Sequence, residues 1–166
     1  MKIIGVDPGV TGAFAILTDD GAFDAVEDLP ITQWGKAKWV DAPRLCSRLF
    51  ELLEGKPARG AVEHTHAMPR MGSIASNSKG MTLGSTLAAL QMARVSVELV
   101  SPAAWKSALD LTGKATDAQR KKKALARARL LFPSAPLDRE QDHNRAEALL
   151  IAWWRQRVGE NTRGKK

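Results

Sequence analysis

The hydrophobic and polar positions of this chain switch between a short-range and a helical period, and the switches divide it into elements. Ile3-Ile4-Gly5-Val6 is an almost wholly apolar, β-branched run that predicts a buried strand, and it stops at Asp7, followed by Pro8, Gly9 and Gly12. Pro8 fixes φ and the glycines permit tight backbone, so the chain can reverse into Ala13-Phe14-Ala15-Ile16-Leu17 as a neighbouring strand. Asp19-Asp20-Gly21 is a turn signal, and residues 22–29 mix polar and apolar side chains as a third, partly exposed strand does. Three antiparallel strands are expected to open the fold. Pro30 to Lys38 holds no period and is read as a loop, with Trp34 and Trp39 expected to cover the core edge rather than to stack on a base.

Asp41 is a good N-cap with Pro43 in the first turn, and Leu45, Leu49, Leu52 and Leu53 follow at helical spacing up to Gly55. This crossover helix leads to Gly60-Ala61-Val62-Glu63, expected to pair in parallel and to end, like the first strand, on an acid. Residues 64–78 lack periodicity and are rich in Met, Ser, Gly and Asn, which predicts a long loop beside those acids. Lys79 to Arg94 reads as a helix with small residues and apolar surface on more than one side, suited to packing on the sheet and on a partner subunit. Val95 to Val100 alternates with period two, and Ser101-Pro102 can start a short helix through Trp105 and Leu109. A basic helix spans Thr116 to Phe132, a Pro-containing connection follows, and a last helix opens at Asp142 and runs to Trp154.

The chain has 166 residues, enough for one domain with a real core; we place a single domain at 1–158 and a basic, flexible tail at 159–166. A formal charge of +7 favours a polyanionic partner. Cys46 is the only cysteine, which excludes an intrachain disulfide and a thiolate zinc site. No stretch has the length of a membrane span or the apolar core of a secretion signal, so a cytoplasmic location, in a bacterial cell or an infected host cell, is expected.

Candidate chemistry enters through the acids. Asp7 and Glu63 end strands, and Asp142, His143 and Glu147 open the last helix. Carboxylates converging in water repel one another, so their convergence makes physical sense mainly around hard divalent cations, with Mg²⁺ the natural ligand and a pair of ions able to act on a phosphodiester. His143 and Glu147 are i, i+4 and share a helix face, whereas Asp142 joins them only as a cap with non-helical backbone. Glu147 therefore ranks above Asp142, and both above His143, a candidate general base.

These blocks, in order Gly5-Val6-Asp7-Pro8-Gly9-Val10-Thr11-Gly12, Ala61-Val62-Glu63, Val100-Ser101-Pro102-Ala103-Ala104-Trp105-Lys106, and Asp142 to Ala152, resemble the RuvC-type Holliday junction resolvases of the RNase H-like superfamily, especially their bacteriophage relatives. The resemblance implies an α/β RNase H-like fold: a five-stranded mixed sheet, three antiparallel strands then parallel ones, flanked by helices on both faces. It implies a homodimeric, metal-dependent endonuclease that makes paired nicks in four-way DNA junctions, with two Mg²⁺ per site and Mn²⁺ able to substitute. Asp7, Glu63 and Glu147 match the family's acids; the fourth position is Asn144 here, which leaves Asp142, His143 and Asn144 open for that role.

By the same resemblance the 64–78 segment enters the junction, so Arg70, Ser73, Ser76, Asn77 and Lys79 are candidate DNA contacts, helix 79–94 is the candidate dimer helix, and Lys106 and Lys114 contact the cleaved strand. Lys121 and Lys122 extend that phosphate track. Three rivals stand beside this one. A two-domain ATP-binding protein of the actin and sugar-kinase type shares the Asp-x-Gly-x-Thr-Gly opening but needs a longer chain. A non-catalytic binder of branched nucleic acid gains nothing from acids beside its polyanion. An RNase H-like nuclease acting on RNA typically carries an Arg where this chain has Val10-Thr11-Gly12.

Overall fold

The apolar opening run forms β1 (Lys2–Asp7), the middle strand of a five-stranded sheet in a computed structural model that describes residues 1–64 and 72–163. β2 (Ala13–Thr18) returns antiparallel to it and β3 (Phe23–Asp28) pairs antiparallel with β2. The return needs a glycine at position 12: a Cβ there would lie 2.1 Å from the Asp7 carbonyl oxygen.

The expected 30–38 loop is instead a hairpin of β4 (Ile31–Trp34) and β5 (Ala37–Val40), a separate two-stranded sheet. Its strands are rich in β-branched and aromatic residues and flank the two-residue turn Gly35-Lys36, where Gly35 takes φ +60, so the turn chemistry was present but the strands are too short to show a period. Trp39 is half-buried, whereas Trp34 is 84% exposed and covers no core.

Asp41 caps α1 (Ala42–Leu53) by accepting from the Arg44 N–H at 3.1 Å, and Leu45, Cys46, Leu49 and Leu53 form its buried face. The helix carries the chain over to β6 (Ala58–Glu63), parallel to β1, and then α2 (Ser73–Met92) and β7 (Val95–Val100) place a third parallel strand at the sheet's edge. The helix begins six residues before the expected Lys79, so Ser73, Ser76 and Asn77 stand in its first turns rather than in a loop. Nothing in Ser73–Ser78 has helical apolar periodicity and Gly72 gives no side-chain cap; the packing of Thr82, Thr86, Ala89 and Leu90 sustains this helix, not its start.

Three further helices complete the chain: α3 (Pro102–Ala108), capped by Ser101; α4 (Asp117–Leu131), opened by a capping box between Thr116 and Gln119; and α5 (His143–Arg163). Residues 164–166 of the proposed tail lie outside the described residues, as do Arg70 and the 65–71 part of the junction segment. Strand alternation divides the interior in two. Ile3, Ala13, Ala15 and Leu17 face Trp105, Ala124, Leu149 and Ile151 of α3–α5, while Ile4, Val6, Phe14 and Ile16 face Leu45, Leu49, Ala89 and Leu90 of α1 and α2. Helices thus cover both faces of the mixed sheet. No helix among the described residues is long and apolar enough to cross a membrane.

Candidate active site

Parallel pairing of β1 with β6, Val6 opposite Val62, brings the strand-ending acids Asp7 and Glu63 out at the same edge of the sheet. A third acid arrives from α5. That helix lies against β1 so closely that a Cβ on Gly5 would sit 2.2 Å from the Ala148 carbonyl oxygen and 2.2 Å from the Ala152 nitrogen. Only glycine allows this approach, which seats Glu147 over the end of β1. Asp7, Glu63 and Glu147 each offer a carboxylate oxygen within 4.8 Å of the others, the sole such group of ligand-type side chains among the described residues. They border a cleft of about 250 Å³ whose walls are Asp7, Pro8, Glu63, His64, Lys79 and Leu83.

The electrostatics of the cluster are those of charges brought together without full compensation. Burial, and then the neighbouring carboxylates of Glu147 and Glu63, push Asp7 up to about 7, against the smaller opposing pull of Lys106 and Lys121. Burial also raises Glu147, although Lys106 lies 3.4 Å from its carboxylate. A hard divalent cation is the ligand that three partly desolvated oxygens of this kind would take, so the residues fit such an ion. Glu63 is held differently. The indole N–H of the fully buried Trp105 donates to its Oε2 at 2.7 Å, and Lys106 stacks over the same ring at 4.8 Å.

Asp142 does not join the cluster. Its carboxylate is 3% exposed and accepts from the Arg139 backbone N–H at 2.9 Å and from the Arg139 guanidinium at 3.0 and 2.6 Å, which holds its pKa below the usual range. The acid fastens the turn before α5 and is saturated there. His143 likewise stands apart, in a groove between α4 and α5 with Lys121, Lys122, Arg129 and Glu140. Asn144, at the fourth position, donates its side-chain amide to the Thr11 carbonyl and so ties α5 to the turn that follows Asp7.

The basic candidates ring the acids unevenly. Lys79 lines the cleft, Lys106 touches Glu147, and Lys121 pairs with Asp117 at 3.4 Å while close enough to Asp7 to lower its pKa. Lys114 is exposed in the loop between α3 and α4, Ser73 and Asn77 are exposed on α2, and Ser76 is half-buried. Sequence patterning passes over Gly5 and Trp105 as working parts, and holds Asn144 only as one of three candidates for the fourth position. A glycine inside a β-branched run was the available sign for Gly5; an interior Trp needs a partner for its N–H, and only the fold names that partner. A larger cleft of about 540 Å³ beside α1 offers no comparable chemistry, since Arg48 already pairs there with Glu27 and Glu51 at 2.6 Å each.

No family model matches the sequence, and no curated protein matches it. Solved structures do. A structure of Thermus thermophilus RuvC in complex with Holliday junction substrate matches with a TM-score of 0.69 at 22% identity, over 98% of this chain and 98% of that one. A second Thermus thermophilus RuvC structure gives 0.56 at 22% identity, over 96% of this chain and 97% of that one. The likeness shows a shared fold, the RNase H-like fold of RuvC, along nearly the whole chain.

Proposed function

We propose that this protein is a RuvC-type endonuclease that resolves four-way DNA junctions by metal-dependent phosphodiester hydrolysis. The observation that carries the proposal is the convergence of Asp7, Glu63 and Glu147 within 4.8 Å, at the carboxyl edge of a RuvC fold, in a chain of net charge +7. These acids would hold Mg²⁺, with Mn²⁺ able to replace it and two ions per site. When bound, such ions supply an activated water and charge neutralisation at the scissile phosphate.

The chain's own groups do the rest. Trp105 fixes the orientation of Glu63, whose side chain lines the cleft. Lys106 is placed to pass from Glu147 to a phosphate oxygen of the cleaved strand, and Lys114, Lys121 and Lys122 continue the positive track. Burial of Asp7 and Glu147 lowers the local polarity, which strengthens each of these interactions. Paired nicks need two sites, and a homodimer through α2, working in the cytoplasm, would provide them.

The test is incubation with a mobile four-way junction, a linear duplex and an RNA hairpin, in Mg²⁺ or Mn²⁺ and then in EDTA. The junction is expected to be cut efficiently, by paired nicks, and only with metal. Comparable cutting of the RNA hairpin would move the assignment to an RNA-directed relative, and tight junction binding without cleavage would make the protein a binder.

A further inference from the structure

The β4–β5 hairpin is unaccounted for by the acid site, and it displays Trp34 at 84% exposure, the most exposed large apolar side chain among the described residues. Its register pairs Trp34 with Ala37 and Thr32 with Trp39, which puts both tryptophans on one face of the hairpin as diagonal neighbours, Trp39 half-buried and Trp34 open. Lys36 is exposed in the turn next to Trp34, Lys38 is exposed on the opposite face of the hairpin, paired with Gln33, and residues 31–40 include no acid.

The tip is held in place rather than left loose. The Gln33 side chain donates to the Gly35 carbonyl at 2.7 Å across the turn, the Asp41 N–H donates to the Pro30 carbonyl at 2.8 Å at the base, and Val40 is buried. On the flank, the Ser78 hydroxyl donates to the Lys38 carbonyl at 2.9 Å. Ser78 directly precedes Lys79, which lines the acid cleft, so the hairpin stands next to the path of a strand entering that cleft.

We propose that this hairpin is a second nucleic-acid contact, in which Trp34 stacks on an unpaired base of the DNA substrate while Lys36 in the turn meets a flanking phosphate. The assignment rests on the DNA-cleaving function proposed above. The chemistry of the tip selects DNA over a protein partner. An exposed indole offers a flat face of the size of a base, stacking on it tolerates any sequence, and cationic neighbours suit a polyanion. Protein interfaces favour Trp but are depleted in Lys, and here the hairpin tip carries Lys36 next to the tryptophan, a second exposed lysine on its other face and no acid. The braced hairpin backbone also lowers the ordering that binding requires.

The proposal is tested by fluorescence anisotropy in EDTA with three labelled probes: single-stranded (dT)₂₀, a mobile four-way junction and a linear duplex. Trp34→Ala is expected to weaken (dT)₂₀ and junction binding about tenfold or more, Trp34→Phe to retain most of the affinity, and duplex binding to change by less than about twofold. Quenching of tryptophan emission by (dT)₂₀ should shrink in Trp34→Phe. Because Trp34 covers no core, both variants should keep the native far-ultraviolet circular dichroism and the native melting temperature. Native affinity for all three probes in Trp34→Ala overturns the proposal. So does a fall of that variant to half the native mass in sedimentation, which would give the tip to a second copy of the chain. A native protein that binds none of the probes removes the DNA function itself, and the hairpin assignment with it.

Discussion

Asp7 carries the sharpest consequence at the scale of single residues, because its ionised form is disfavoured by burial and by two neighbouring acids. Between the ordinary carboxylate range and about 7, the folded chain keeps a proton on Asp7 that the unfolded chain has released. The metal-free protein should therefore lose stability as pH rises through that window, and the raised Glu147 acts in the same direction. Thermal melts in EDTA are expected to fall from pH 5 to pH 7.5, to fall less in Asp7→Asn, and to recover when Mn²⁺ is added to the native protein. A native melting profile without this slope would refute the crowded-acid account. In the nuclease assay, Asp7→Asn and Glu63→Gln should each abolish cleavage and leave junction binding intact or tighter, since negative charge near the phosphates has been removed; cleavage at the parental rate by either would end its metal role. Trp105 acts through Glu63 and not on the substrate. Trp105→Phe should raise the Mn²⁺ concentration needed for half-maximal cleavage by about 10- to 100-fold. Direct Mn²⁺ titration should move with it while junction affinity stays put, whereas a merely structural Trp would leave the metal titration unchanged.

Elements show why some of this could be read in advance and some could not. β1, β2, α1 and β7 were legible because each carries a full period of apolar residues with a cap or turn at its end: Asp41 and Pro43 for α1, the Asp7–Gly12 turn for β1. The strand-ending positions of Asp7 and Glu63 followed from the same logic. The β4–β5 hairpin and the first turns of α2 were not legible, since their four- and six-residue stretches are stabilised by contacts such as Ser78 to Lys38 that join segments forty residues apart. Asp142 misled for a related reason. A carboxylate before a helix looks the same in sequence whether it turns to a metal or to Arg139 in the preceding turn, and the Arg139 contacts decide it. The packing of α5 on β1 gives the test at this scale. Gly5→Ala forces a Cβ into the backbone of Ala148 and Ala152, so it should destabilise the fold by on the order of 4 kcal/mol or more, or prevent recovery of folded protein. Arg120→Ala, at an exposed position of α4, removes no buried atom and should change stability by less than about 0.5 kcal/mol. Equal chemical denaturation midpoints for the two variants would contradict the close approach of α5.

For the molecule as a whole, one chain presents one acid cluster among its described residues, whereas resolving a four-way junction takes two opposed cuts. Under the proposed function a two-fold pair of chains would supply them with matching geometry, and the candidate surface is the outer face of α2. There Gly80, Gly84 and Ala88 are exposed, and a Cβ on either glycine would meet no described atom within 4 Å, while the opposite face packs Thr82, Thr86, Ala89 and Leu90 inside. Such a flat, small-residue face lets a second helix approach closely, and because it adjoins Lys79 it would set the two clefts on either side of the contact. Sedimentation velocity of the native protein is then expected to report a dimer, and Gly84→Trp, which fills the open face without disturbing the buried one, a monomer. The monomer should still hold metal through Asp7, Glu63 and Glu147 but nick one strand of the junction at a time, so that nicked circular product accumulates from a supercoiled cruciform plasmid where the native protein yields linear DNA. A native protein that sediments as a monomer, or a Gly84→Trp protein that still linearises the plasmid, would place the second active site elsewhere than across α2.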